Sequence, residues 1–503
     1  MLCLMLWKDF TEERRTEMQK LQTFSNVFGE MISFLKRHYA SKCCENLQNQ
    51  NTLEYVEEAG RAIQDISDIA MVGLSERKLS FPEEKFKDCR DALETCCKVG
   101  VLTKEEDFSR TDRRRDINVL SSNVSTISFP HKLFQEYVAG LYIKNLFTDD
   151  LVHYKELKHK LLNRHAEFRY LLYFAAALEN DLGLDIINDL KMTAKQYFCV
   201  DVAFECHTEE AARVVGERWK EYKLSWGTSE HTKSAIVFLV RWSQTQSLFI
   251  DNAHCGRTVS RDLAEAMCTS CVPLRVTIQD PELHADFYKI LSSQASKCQI
   301  QDLTFGWSSR DGDYQNQSSI EGDLAQWVCA VPSLWSFSLT WPCFPSDFLS
   351  TAAASASRCQ IRDLLLCVES LDANSQYKSS TGRDLALWVC AMRNLSRFSM
   401  RCSFLPEDFL STASNEAQSC QIRQLNLWFS KTWISEPSAA HLAEFLYGLP
   451  HLQQAHLQCD NLPSIFFTTL ASHRQRLNVE TITINGKRLR ELLVDIQCDT
   501  EMQ

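Results

Sequence analysis

The chain has 503 residues, of which 45% are hydrophobic and 24% charged, an ordinary globular composition with room for several domains. Only 15 glycines and a formal net charge of −11 weigh against Gly-rich phosphate loops, long flexible linkers, and nucleic acid or anionic membrane as partners. The 21 cysteines are scattered, many at apolar positions of periodic segments, and read as buried free thiols of a reducing compartment.

The opening run, Met1-Leu-Cys-Leu-Met-Leu-Trp7, is apolar but lacks a basic flank and meets Lys8 and Asp9 at once, unlike a secretory signal. No run reaches the length of a membrane-spanning helix, so the expectation is a soluble, cytoplasmic protein. Phe24 to Tyr39 carries Val27, Phe28, Met31, Phe34 and Leu35 on one helical face, and Ile63 to Leu74 repeats the pattern with Gly73 near its end. Leu79 and Phe81 follow, then a predicted helix from Glu83 to Cys97, a turn at Gly100-Val-Leu102, and a strand-like Ile127-Ser-Phe129. Arg113-Arg114-Arg115, between Asp112 and Asp116, reads as a solvated loop. Lys132 to Leu146 is a strongly apolar helix. Helices with a short hairpin in this order predict a winged helix over 26–147, preceded by a helical remnant at 1–25 and followed by a second helical domain over 148–235.

The remainder, 236–503, is organised by a repeat. Asp323-Leu-Ala-Gln-Trp-Val-Cys329 returns 61 residues later as Asp384-Leu-Ala-Leu-Trp-Val-Cys390, and Cys359-Gln-Ile-Arg-Asp-Leu364 returns as Cys420-Gln-Ile-Arg-Gln-Leu425. Each period holds two alternating segments, centred on Leu248, Val276, Leu303, Phe337, Leu364, Phe398, Leu425, Ala455 and Ile482, with helical patterns between them. A strand and a helix each expose an apolar face that only a stacked neighbour can cover. About nine such units are similar to a degenerate, ribonuclease-inhibitor-like leucine-rich-repeat solenoid. Its concave column would be Phe249, Thr277, Thr304, Ser338, Leu365, Ser399, Asn426, His456 and Thr483.

The segment Ile127-Ser-Phe-Pro-His-Lys-Leu-Phe-Gln-Glu-Tyr-Val-Ala-Gly-Leu-Tyr142 resembles the motif that closes the winged helix of NACHT–leucine-rich-repeat (NOD-like) receptors. Met1 to Asp9 resembles the end of their preceding helical domain, and Phe168 to Phe174 with Phe204-Glu-Cys-His207 resembles the second helical domain. The resemblance implies a C-terminal receptor part in innate immunity, in which the repeats sense a ligand and hold a switch module inactive. It also implies that His131 reaches the phosphates of bound ADP. No G-x-x-x-x-G-K-[S/T] phosphate loop occurs, so the chain resembles a receptor that begins after its nucleotide-binding domain. Without that pocket His131 is expected to be structural or vestigial, and ADP or ATP would bind only if a missing nucleotide-binding domain were supplied.

No catalytic or metal site is read from the sequence. Cys268-Thr-Ser-Cys271 is a lone C-x-x-C whose second cysteine does not recur in the repeat. Polar inserts, Ser308 to Glu321, Glu369 to Thr381 and Ser430 to Ser438, follow every second strand and nominate a binding rim: Asp311, Asp313, Tyr314, Asp372, Tyr377 and an exposed Trp428. The expected partner is a protein or microbial macromolecule, with self-association favoured by the apolar N-terminal face. The alternative is a constitutive protein-interaction scaffold without switching. Isothermal titration of the purified chain with ATP and Mg²⁺ is expected to show no heat of binding; saturable micromolar binding would contradict this reading.

Overall fold

The computed structural model describes residues 23–47, 52–106, 125–193, 195–279, 282–307, 318–342, 345–368, 380–403, 407–473 and 482–489. The chain divides into two compact units, Met1–Arg218 and Trp219–Gln503. Among the described residues, no helix is long and apolar enough to cross a membrane.

The first unit is built of helices with one small sheet. Helix α1 (Phe24–Leu47) starts at a buried carboxylate: Glu205, 1% exposed, accepts from the Phe24 and Ser25 backbone N–H groups at 3.2 and 2.8 Å. Free N–H groups at a helix start carry partial positive charge, so this acid both caps and anchors the helix. Helices α2 (Thr52–Asp65) and α3 (Ser67–Glu76) follow, and α3 stops where Arg77 turns left-handed at φ 59°. Strands β1 (Ser80–Pro82), β2 (Thr103–Glu106) and β3 (Ser125–Ser128) form an antiparallel sheet in the order β1-β3-β2, with helix α4 (Arg90–Val99) between β1 and β2 in the chain. Gly100, at φ 90°, supplies the left-handed residue that ends α4 and turns the chain into β2. Helix α5 (Lys132–Asp149) then leads into α6 (Leu151–Asn163), α7 (Arg169–Leu178), α8 (Asn180–Lys191), α9 (Gln196–Cys206) and α10 (Glu209–Arg218). The predicted helix from Glu83 differs in detail: Glu83–Phe86 is a single 3-10 turn, and the α-helix begins at Arg90.

In the second unit strands and helices alternate from start to finish. The elements are β4 (Glu221–Ser225), α11 (Glu230–Trp242), β5 (Ser247–Asp251), α12 (Arg257–Thr269), β6 (Leu274–Gln279), α13 (Ala285–Gln294), β7 (Ile300–Gly306) and α14 (Ser318–Ala330). They continue as β8 (Ser336–Trp341), α15 (Ser346–Ser355), β9 (Asp363–Val368), α16 (Thr381–Ala391), β10 (Arg397–Cys402) and α17 (Glu407–Glu416). The series closes with β11 (Gln424–Trp433), α18 (Glu436–Gly448), β12 (Gln454–Asn461), α19 (Ser464–Ser472), β13 (Ile482–Ile484) and β14 (Lys487–Arg488). These strands form one eleven-stranded sheet in chain order, parallel throughout except for the last pair, β13 with β14, and His254–Cys255 pairs with Glu282–Leu283 as a separate two-stranded ribbon. Each helix packs against the next.

Leu248, Val276, Leu303, Phe337, Leu364, Phe398, Leu425, Ala455 and Ile482 occupy directly paired positions on successive strands and are all buried. The sheet also has two strands more than the nine expected, β4 at its start and β14 at its end. β4 places Tyr222 beside Leu248, so the second unit begins at Trp219 and not near 236. This strand shows only two buried apolar positions in five residues, too few to announce it by pattern.

The period of 61 residues is visible in the packing. Trp327 and Trp388 are fully buried at equivalent places, and Cys329 and Cys390 are buried beside them in the repeated motif. Cys268 lies with its Sγ 2.9 Å from that of Cys298, while Cys271 of the C-x-x-C is exposed, so the two cysteines of that motif do not converge. The cysteines of the described residues are free thiols.

Parity along β9 gives a direct test. Leu364 and Leu366 are each 2% exposed, whereas Leu365 between them is 37% exposed. Leu366→Ala is expected to cost about 3 kcal/mol in urea unfolding through its cavity, and Leu365→Ala less than about 0.5 kcal/mol. Equal losses would mean that the strand is not one-sided.

Candidate functional site

The helices cover one face of the large sheet, and the opposite face carries a broad array of aligned side chains. Its central row runs Lys223, Phe249, Thr277, Thr304, Ser338, Leu365, Ser399, Asn426, His456 and Thr483, each residue beside the next. The expected column is therefore a continuous physical row, and Lys223 extends it by one position. The row is tied together laterally. Asn426 Nδ2 donates to Ser399 Oγ at 3.0 Å, and His456 Nδ1 lies 2.6 Å from Thr483 Oγ1.

Charges of both signs stand on this face. Lys223 pairs with Asp251 at 2.8 Å and sits 4.9 Å from the centre of the Phe249 ring, a cation–π arrangement. Arg397 binds Asp363 through two guanidinium nitrogens, and this bond holds the Arg397 pKa above its ordinary value. The geometry is that of a bidentate arginine–carboxylate pair, which is directional as well as charged. Small polar residues, local ion pairs and an open face make a surface suited to contacts with another macromolecule. Among the described residues, no group of three or more His, Cys, Asp or Glu side chains is placed to hold a metal.

The residues nominated by the sequence fare unevenly. Asp311, Asp313, Tyr314, Asp372 and Tyr377 lie outside the described residues. Trp428 is a correction: expected to be exposed, it lies in β11, half-buried between Arg401 and Gln458 on the open side of the sheet. The supposed insert at Ser430 to Ser438 is partly strand, since β11 continues to Trp433, paired with Asn461, before Ser435 caps α18. Pattern reading missed Lys223, Asp251 and the Asp363–Arg397 pair, because their partnership joins residues of different strands. The one sequence signal was the register of the repeat itself.

His131 is exposed and caps α5: its Nδ1 accepts from the Leu133 backbone N–H at 3.1 Å. Its neighbours in the motif are structural too. Phe134 is 2% exposed and packs edge-on against Phe28, with ring centres 5.2 Å apart. Gln135 Nε2 donates to the carbonyls of Ala70 and Lys78, at 3.2 and 2.8 Å, and so ties α5 to α3 and to the residues leading into β1. Glu136 is 1% exposed with Lys132 Nζ at 3.2 Å, and burial raises its carboxyl pKa. A cleft of about 500 Å³ nearby is lined by Leu74, Arg77, Leu79, Lys132, Gln135, Glu167 and Phe168, and His131 does not line it. The Arg77–Glu167 ion pair, at 3.0 Å, joins two of those lining residues.

The chain matches no protein-family model and no curated protein.

A capping role for His131 makes its substitutions predictable. His131→Ala is expected to lower stability by about 1 kcal/mol, while His131→Asn restores most of the loss, because its side-chain oxygen can accept the same N–H bond. Thermal unfolding of the two variants measures this; equal losses would assign His131 some other contact.

Proposed function

We propose that this chain is the sensing and regulatory part of a NACHT–leucine-rich-repeat receptor. In this reading Trp219–Gln503 is a leucine-rich-repeat solenoid and 26–147 a winged-helix switch module, and the chain itself carries out no catalysis. The observation that carries the proposal is the unbroken row from Lys223 to Thr483, ten strands aligned residue by residue with an open, mostly small and polar face. An array of that kind offers a long surface on which many weak contacts add up, and it commits no side chain to chemistry. The motif from Ile127 to Tyr142 supports the assignment of the first unit, since its phenylalanine and glutamine hold three elements together. A protein or microbial macromolecule is the proposed ligand. To act as a switch it must bind one conformation more tightly than another.

Photo-crosslinking tests the surface. A photoreactive residue at Thr304 or Ser338, on the open face, is expected to form a discrete adduct with a partner in cells. The same residue at Ser350, on the helical side, is expected to form none. Limited proteolysis of the complex then separates a switch from a permanent scaffold: a switch changes cleavage between residues 147 and 236 when the partner is added. Adducts that are equal on both sides, or absent from both, would sink the receptor reading.

A further inference from the structure

Five arginines gather where the chain enters β9, β10 and β11. Arg362 and Arg423 stand immediately before β9 and β11, and Arg397 is the first residue of β10. Arg358 and Arg393 lie in the segments leading into β9 and β10, which are tied by a bond from Asn394 Nδ2 to Gln360 Oε1 at 3.0 Å. All five are exposed. Across 356–363, 391–397 and 417–424 the sole acidic residue is Asp363, and it is committed to Arg397. Five positive charges less one negative leave this edge at +4, on a chain whose net charge is −11. The flanking entrances, 330–336 and 449–454, add no acid.

The backbone sets the spacing of these arginines. The Arg362 carbonyl accepts from the N–H groups of Ser396 and Arg397, and the Ser396 carbonyl accepts from those of Arg423 and Gln424. Arg362, Ser396 and Arg423 are thereby held side by side on three successive strands. The row continues to Trp335, 40% exposed, whose carbonyl accepts from Arg362 and Asp363 N–H groups. Neighbouring strands lie about 4.8 Å apart, so Arg362 and Arg423 are roughly 9.6 Å apart at the backbone. A segment extended as polyproline II rises about 3.1 Å per residue with three residues per turn, so side chains three residues apart share one face and are separated by roughly 9.3 Å. The two distances match.

We infer that this edge binds an extended acidic segment of a partner protein, with carboxylates three residues apart on Arg362 and Arg423 and an apolar residue against Trp335. Each guanidinium offers a planar fork to a carboxylate. Long polyanions such as nucleic acid are disfavoured by the negative charge of the rest of the chain. The inference rests on the receptor reading for its biological setting, but not for its chemistry.

The test uses the intact chain and a fluorescein-labelled peptide with one tryptophan and two glutamates at positions i and i+3, with prolines between them to keep it extended. Fluorescence anisotropy at 0.15 M salt is expected to show binding at least tenfold tighter than for the same peptide with both glutamates replaced by glutamine. Arg362→Glu and Arg423→Glu are each expected to weaken binding tenfold or more, and Arg362→Gln to do so less steeply, with circular dichroism unchanged. Arg401→Glu, four residues along β10 from Arg397 and roughly 13 Å away, lies beyond the screening length and is expected to change binding less than twofold. Equal affinity for the glutamine peptide would overturn the proposal. So would a loss at Arg401 as large as at Arg362, or a single-stranded oligonucleotide that binds as tightly through the same arginines. Face-specific crosslinks from Thr304 or Ser338 would survive any of those failures, which keeps the two readings separable.

Discussion

Everything in the second unit depends on strands that pair in parallel, in strict register, with one face covered by helices. A single strand–helix unit leaves two apolar faces in water, and only a neighbour can close them. Successive strands therefore have to agree on which parity faces the helices, since a slip of one residue would move Leu364 and Leu366 into solvent and Leu365 into the core. Full burial of Phe305, Phe337, Trp327 and Trp388 adds shape to that constraint, because large rings admit few alternative packings. The open face is a by-product of the same rule: side chains of opposite parity are left aligned in rows for other uses.

The first unit solves a different problem. Its helices leave backbone groups at their ends to be satisfied, and buried polar side chains do part of this. Glu205 receives the start of α1, and Gln135 joins the segment around β1 to two helices. Lys158 lies 2.6 Å from both Asp185 and Asp189, with the Tyr154 hydroxyl donating to Asp185. Such groups cost desolvation and return specificity, since each works only with its partners in place. The close approach at Gly73 belongs to the same design: a Cβ there would lie 2.2 Å from the Phe81 ring and 2.4 Å from Gln135 Nε2.

The open face carries both signs of charge, and its ion pairs are mostly satisfied internally. The exception is its arginine-rich entrance edge, where four guanidinium groups have no acid among the neighbouring entrance segments. Electrostatic contrast of that kind, set against an acidic whole, favours orientation and rate of encounter more than affinity alone.

Local pattern was enough to place nine of the paired strands in the second unit, because alternation with period two and helical stripes are written within a few residues of chain. It was enough, too, to find the helix from Lys132 and the turn at Gly100. Three things needed the tertiary structure. β4 carries too few apolar residues to be recognised until Tyr222 and Leu224 are seen against Leu248 and Ile250. Trp428 reads as exposed until β11 is seen to half-bury it, and the structural role expected of His131 takes a definite form only when its ring is found capping a helix start. The Asp363–Arg397 pair and the arginine row join residues 27 to 34 positions apart, and their proximity exists only once strands lie side by side. Periodicity is a short-range property of a sequence; lateral alignment is a long-range property of its packing.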